Sequence, residues 1–215
     1  MLKRILFTTF FLCISIYCFA NETLTTQQVN EFFKWVIKAE QSETLNLKIK
    51  YYTKVIEVNL EDTYMSCVLY EYRGGAYFNL GQYQKAIDDY TNVLAGADYK
   101  SFAEREISVY RAGIYNSRGN AYFLLNQYQK AIDDYTKAIE LEPEDPVIYF
   151  KRGVIYATLK LPTVACDDLY KAGLLDLKQN KKTESLKCID SMKNVDPSSP
   201  LIKKLMDKIY EETEK

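Results

Sequence analysis

One sixteen-residue segment is written twice in this chain. Residues 76–91 read AYFNLGQYQKAIDDYT and residues 121–136 read AYFLLNQYQKAIDDYT. Only Asn79/Leu124 and Gly81/Asn126 differ. A chain that repeats a segment this closely builds with a repeated structural unit whose copies bury their apolar faces on one another. Such architectures offer an extended surface to a partner rather than a catalytic pocket.

The repeated segment is helical by its spacing. Tyr77, Leu80, Tyr83, Ala86, Ile87 and Tyr90 in the first copy fall three and four residues apart, as do Tyr122, Leu125, Tyr128, Ala131, Ile132 and Tyr135 in the second; that is the period of one helix face. Gly81-Gln82 and Asn126-Gln127 divide each copy, because Gly and Asn both accept the left-handed backbone of a helix end. Each unit is therefore a helix–turn–helix pair.

At this point the chain resembles the tetratricopeptide repeat family, whose unit of about 34 residues fixes aromatic and small side chains at set points. Residues 112–145 match best, through Tyr115, Gly119, Tyr122, Ala131, Tyr135, Ala138 and Pro143. Residues 67–100 match through Tyr70, Gly74, Tyr77, Ala86 and Tyr90, with Val93 in place of an Ala. Residues 146–175 match through Tyr149, Gly153, Tyr156, Ala165 and Ala172, with Leu169 where an aromatic is usual. A degenerate first unit spans residues 29–62 through Phe32, Ala39, Leu45, Tyr52 and Val55. The resemblance implies an all-α, right-handed superhelical solenoid over residues 29–175, closed by a helical cap over residues 176–215. Gly119 and Ala131 are read as small residues where two helix backbones approach.

The two strong copies lie 45 residues apart, so about eleven residues exceed the unit, close to three helical turns. Ser101-Phe102-Ala103-Glu104 is a capping-box pattern, which places the excess in a long helix over residues 102–125. Its early turns either pack on the preceding helix or form a docking surface. Asp145 is placed as the cap of the next helix with Pro146 in its first turn. Later, Pro162 is placed at the start of a helix, and Leu201, Ile202, Leu205, Met206 and Ile209 form the stripe of a last one.

Residues 1–20 read as an export signal: Lys3 and Arg4, an apolar run from Ile5 to Phe19, then Cys18-Phe19-Ala20 at a cleavage site. That run is shorter than the ~20 residues a spanning helix needs. Cleavage after Ala20 is expected, leaving residues 21–28 as a linker. The alternatives are an uncleaved membrane anchor or lipid attachment at Cys13 or Cys18. The protein is expected in the periplasm or outside a bacterial cell. Its formal charge is −1, more negative once Lys3 and Arg4 leave. That charge disfavours nucleic acid and anionic membranes as partners.

Catalysis is not expected. The chain has no histidine, the commonest general base and metal ligand. The acid pairs Asp88-Asp89, Asp133-Asp134 and Asp167-Asp168 recur at one point of the unit and are read as a solvated outer face, since adjacent helical residues do not face each other. No metal, cofactor or small-molecule substrate is expected. Cys67, Cys166 and Cys188 are either small buried fillers or, in an oxidising compartment, include one bridge, Cys166–Cys188.

The resemblance also implies a groove on the first helices of the pairs. Projected onto this chain, its positions are Glu71, Gly75, Phe78 and Asn79, then Asn116, Asn120, Phe123 and Leu124, then Phe150, Val154 and Thr158. Some family members clamp a terminal carboxylate there with Lys, Arg and Asn; here only Asn120 fits. The expected ligand is a peptide or helix of a protein partner, held by Phe78, Phe123 and Phe150 with Asn116 and Asn120 on its backbone. Alternatively residues 21–30 or 183–215 fill the groove, and the protein is an assembly subunit acting through its convex face, its long helix or self-association.

Overall fold

The structure, a computed structural model, describes residues 26–57, 63–96 and 104–212. The signal segment, the start of the linker and residues 97–103, with most of the expected capping box, lie outside the described residues. Ten helices and no strand occur among the described residues. They are α1 Thr26–Glu40, α2 Leu45–Glu57, α3 Thr63–Asn79, α4 Tyr83–Gly96, α5 Glu104–Leu124, α6 Tyr128–Leu141, α7 Pro146–Thr158, α8 Pro162–Lys178, α9 Lys182–Val195 and α10 Pro200–Glu211. Each packs on the next, so α1–α2, α3–α4, α5–α6 and α7–α8 form hairpins stacked in sequence order. Helix α1 thus begins within the expected linker.

The turn inside the second, third and fourth hairpins is one motif used repeatedly. Gly81, Asn126 and Lys160 all have positive φ, 72°, 57° and 59°. The next residue's N–H reaches back to the carbonyl of Tyr77, Tyr122 or Tyr156, at 2.9 Å each time. This six-to-one bond closes the end of a helix whose last carbonyls lack partners. The motif recurs once more, where it was not expected. Asn180 has φ 60° and Lys181 donates to the Asp176 carbonyl at 2.8 Å. Asn126 and Asn180, Pro143 and Pro197, and Pro146 and Pro200 are each 54 residues apart. The repeat therefore does not stop near residue 175. Helix α8 serves twice: its first half pairs with α7, and its second half, from Gly173, pairs with α9. Helix α10 then lies on both α8 and α9 and closes the stack.

One cluster of buried side chains sits in each hairpin. Phe32, Val36, Ala39, Tyr52 and Val55 fill the first; Cys67, Ala86, Tyr90, Val93 and Ile114 the second. Ala131, Ile132, Tyr135, Ala138, Ile148 and Ile155 fill the third; Leu169, Ala172, Cys188, Ile189, Met192 and Leu205 the last. Ile139 packs against both of the last two. Gly119 has a different role from the one expected. A Cβ on Gly119 would lie 2.9 Å from the Tyr135 ring, so the small residue makes room for an aromatic side chain rather than for a backbone.

Helix α5 is 21 residues long. Glu104 and Glu106 lie in its first turn, where acids complement the positive end of the helix dipole. Its early turns pack back rather than project: Tyr110 and Ile114 join the cluster of the α3–α4 hairpin. At α7, Asp145 Oδ1 accepts from the Val147 N–H at 2.9 Å, with Pro146 in the first turn.

The acid pairs are half solvated and half buried, which corrects the sequence reading. Asp88, Asp133 and Asp167 are exposed, whereas Asp89, Asp134 and Asp168 are buried. Each buried acid accepts two hydrogen bonds from an arginine of its own hairpin: Arg73, Arg118 and Arg152, at 2.7–2.9 Å. Each arginine also donates to a threonine on the preceding hairpin, Thr53, Thr91 or Thr136. Two tyrosine rings lie beside each guanidinium, as Tyr115 and Tyr122 do at 5.7 and 5.9 Å from Arg118. The same residue thus locks a hairpin internally and ties it to its neighbour.

Candidate partner-binding groove

The expected groove residues occupy single helix faces by their spacing of three, four and seven. Glu71, Gly75, Phe78 and Asn79 share one face of α3; Asn116, Asn120, Phe123 and Leu124 one face of α5; Phe150, Val154 and Thr158 one face of α7. These are the first helices of three successive hairpins, so the faces form the inner layer of the stack.

Most of the polar members are already held from inside. Tyr110 donates to Glu71 Oε2 at 2.8 Å. Asn116 Oδ1 accepts from Lys151 Nζ at 2.8 Å, and Asn120 Oδ1 accepts from the Tyr135 hydroxyl at 2.9 Å. Each asparagine oxygen already accepts one bond within the fold, and the amide N–H groups remain as donors. Thr158 Oγ1 donates to the Val154 carbonyl at 2.9 Å. Burial pushes the Glu71 carboxyl up, and the Tyr110 bond opposes that shift. Burial likewise pulls the Lys151 ammonium down.

The apolar members differ in exposure. Phe78 lies edge-on to Tyr83 and Phe123 tilts against Tyr128, with ring centroids 5.4 and 6.0 Å apart. Phe150 packs against the terminal cluster. Val154 is half-buried, Asn79 is exposed, and Leu124 keeps 45% of its surface in solvent. The C-terminal helices stack on α8, and among these groove residues Phe150 is the one that meets their cluster. Helices α9 and α10 therefore leave Leu124 and Asn79 open.

A cleft of about 300 Å³ opens beside Glu71 and Asn79, lined also by Lys48, Tyr52, Tyr72 and Ser117. Sequence reasoning missed the groove roles of Tyr110, Lys151 and Tyr72, because none occupies a position at which the family's ligand contacts are usual. Cys67, Cys166 and Cys188 are buried thiols, and the Cys166–Cys188 bridge is not formed in this structure. Among the described residues no group of histidine, cysteine or acid side chains could hold a metal ion, and no helix is long and apolar enough to cross a membrane.

A family model described as a TPR repeat matches residues 119–160, from late α5 through α7. No curated protein matches the chain significantly. Among solved structures, MamA from Desulfovibrio magneticus RS-1 aligns with a TM-score of 0.56 at 13% identity, over 79% of this chain and 97% of that one. Another MamA crystal structure aligns at 0.52 and 18% identity, over 80% and 91%. The TPR2AB domain of yeast Sti1, in a complex with a pHSP90 chain, aligns at 0.51 and 20% identity, over 69% and 61%. At these identities the likeness is one of fold. Residues 119–160 match the TPR repeat model, and the described chain shares its all-α helical-repeat fold with these solved structures.

Proposed function

We propose that this protein is a non-enzymatic scaffold that holds a segment of a protein partner along the inner face of α3, α5 and α7. One observation carries the reading. Glu71, Asn116 and Asn120 on that face are fixed by internal hydrogen bonds while Leu124 stays 45% exposed. A wall ordered before binding loses little conformational entropy on binding. An exposed leucine beside partly covered Phe123 supplies apolar area to bury. The amide N–H groups of Asn116 and Asn120 are placed to donate to carbonyls of an extended or helical segment. The signal-like residues 1–20 support a location in the bacterial envelope or outside the cell.

A photo-crosslinking residue at position 124, in the native cell, tests the assignment. The reading expects one dominant foreign protein at position 124 and little at Leu186, an exposed position on α9. Equal capture at both positions, or capture of this chain's own residues 183–215, overturns it.

One observation favours a second surface. Leu159, Leu161 and Val164 are all exposed around the α7–α8 turn. They form an apolar edge through which the chain would assemble with a subunit if the inner face is not the site.

A further inference from the structure

Glu71 is a partly buried acid on the inner face of α3 that pairs with no cation among the described residues. Asp89, Asp134 and Asp168, three of the four buried aspartates among the described residues, each have their own arginine. Among the described residues Glu71 makes no ion pair, and its one hydrogen bond is from Tyr110 to Oε2. Its other oxygen is unused. The residue lines the cleft between α2, α3 and α5, whose wall includes the stacked rings of Tyr52 and Tyr72, 5.8 Å apart at 13°.

The fold itself shows how these groups treat a guanidinium. Arg73 lies 5.3 and 5.9 Å from the rings of Tyr70 and Tyr77 while Asp89 accepts two of its bonds. Carboxylate and ring face together hold a cation better than either alone. The Glu71 cleft offers the same two elements, a carboxylate and the exposed ring of Tyr72, with Tyr52 buried against that ring. Lys48 is the other charged residue lining it, from the α2 wall, and it forms no ion pair with Glu71.

We infer that this cleft takes a cationic side chain, arginine or lysine, from the segment bound along the inner face. The inference rests on the partner-binding reading above. It gives that segment a required chemistry: a basic residue over α3, next to apolar residues over Leu124. The Asn79 amide and Ser117 hydroxyl at the cleft wall supply hydrogen-bond partners for the end of the side chain and its backbone.

The test is a chemical-shift titration of the protein with N-acetyl-arginine amide and, separately, N-acetyl-glutamate amide. The arginine probe is expected to shift the amides of Gly75, Asn79 and Ser117, and the glutamate probe is not. Glu71→Gln keeps an oxygen acceptor for Tyr110 and removes the charge, so the fold stays and the arginine affinity falls at least tenfold. Lys48→Ala removes the competing charge and tightens it. Equal shifts from both probes, no shifts at all, or arginine shifts unchanged in Glu71→Gln overturn the inference. Crosslinking at position 124 reads the partner independently of charge. If it succeeds while the titration fails, the charge assignment alone falls.

Discussion

Arg118 grips Asp134 with two hydrogen bonds of 2.8 Å, Nε to Oδ2 and Nη2 to Oδ1, and its third bond runs 2.9 Å to Thr91 on the preceding hairpin. The side chains are 16% and 7% exposed, so the pair is largely out of water. Burial pushes the Asp134 carboxyl up and the guanidinium pulls it down. The bond to Asp134 meanwhile pushes the Arg118 pKa up. The bidentate geometry keeps the pair ionised.

Asp134→Ala strands a buried guanidinium. Removing one member of a buried pair costs about 3–5 kcal/mol, whereas replacing both with apolar residues costs much less. Urea unfolding is therefore expected to show a large loss for Asp134→Ala and a smaller one for Arg118→Met with Asp134→Leu. Similar losses in the two proteins contradict the pair's role.

Ala131 has no exposed surface. Ala131→Leu overpacks the third hairpin and lowers stability by about 1–3 kcal/mol. Gly119→Ala is also expected to destabilise, because its Cβ meets the Tyr135 ring at 2.9 Å. Combining Gly119→Ala with Tyr135→Leu, which copies the Gly153–Leu169 pairing of the next hairpin, should recover part of the loss in a thermal melt.

Asp176 is buried at the turn between α8 and α9, and burial raises its pKa against the opposing charge of Lys181. A raised folded-state pKa means that the protonated acid favours the fold. That contribution is full below the unfolded carboxylate pKa of about 3.9, and is lost as pH rises through the folded value. Asp176→Asn should therefore raise the urea midpoint at pH 7 and change it little at pH 3.5. An equal change at both pH values refutes the assignment.

The three cysteines are buried and unbridged, and burial pushes the Cys188 thiol up to about 12. A thiol that seldom ionises is a poor nucleophile. Native protein is expected to resist iodoacetamide at pH 8 and to take three labels in denaturant once any signal segment is gone. A peptide joining Cys166 to Cys188 without reductant would reverse this.

Much of this was legible in the sequence for one reason: a duplicated segment carries its turn with it. Gly81 and Asn126 announced their left-handed turns, and Asp145 with Pro146 announced a helix start. The arginine clamps were hidden because an Asp-Asp pair on an outer helix looks solvated. Yet Arg73-Gly74, Arg118-Gly119 and Arg152-Gly153 all stand sixteen residues before the second acid, a signal as regular as the glycines. The double use of α8 was hidden because Gly153 and Gly173 are only twenty residues apart, too close for a whole unit. For the groove, the motif located the faces but not what holds them, since Tyr110 and Lys151 reach in from positions outside the pattern.

The central claim is that a partner lies along the inner face, and the affinity of the crosslinked partner tests it most directly. Burying a leucine is worth about 1.5–3 kcal/mol, so Leu124→Glu should weaken binding at least tenfold with an unchanged melting temperature. Leu161→Glu, at the α7–α8 turn, should leave binding as it was. If Leu161→Glu abolishes binding and Leu124→Glu does not, the partner sits on the turn edge and the account is wrong.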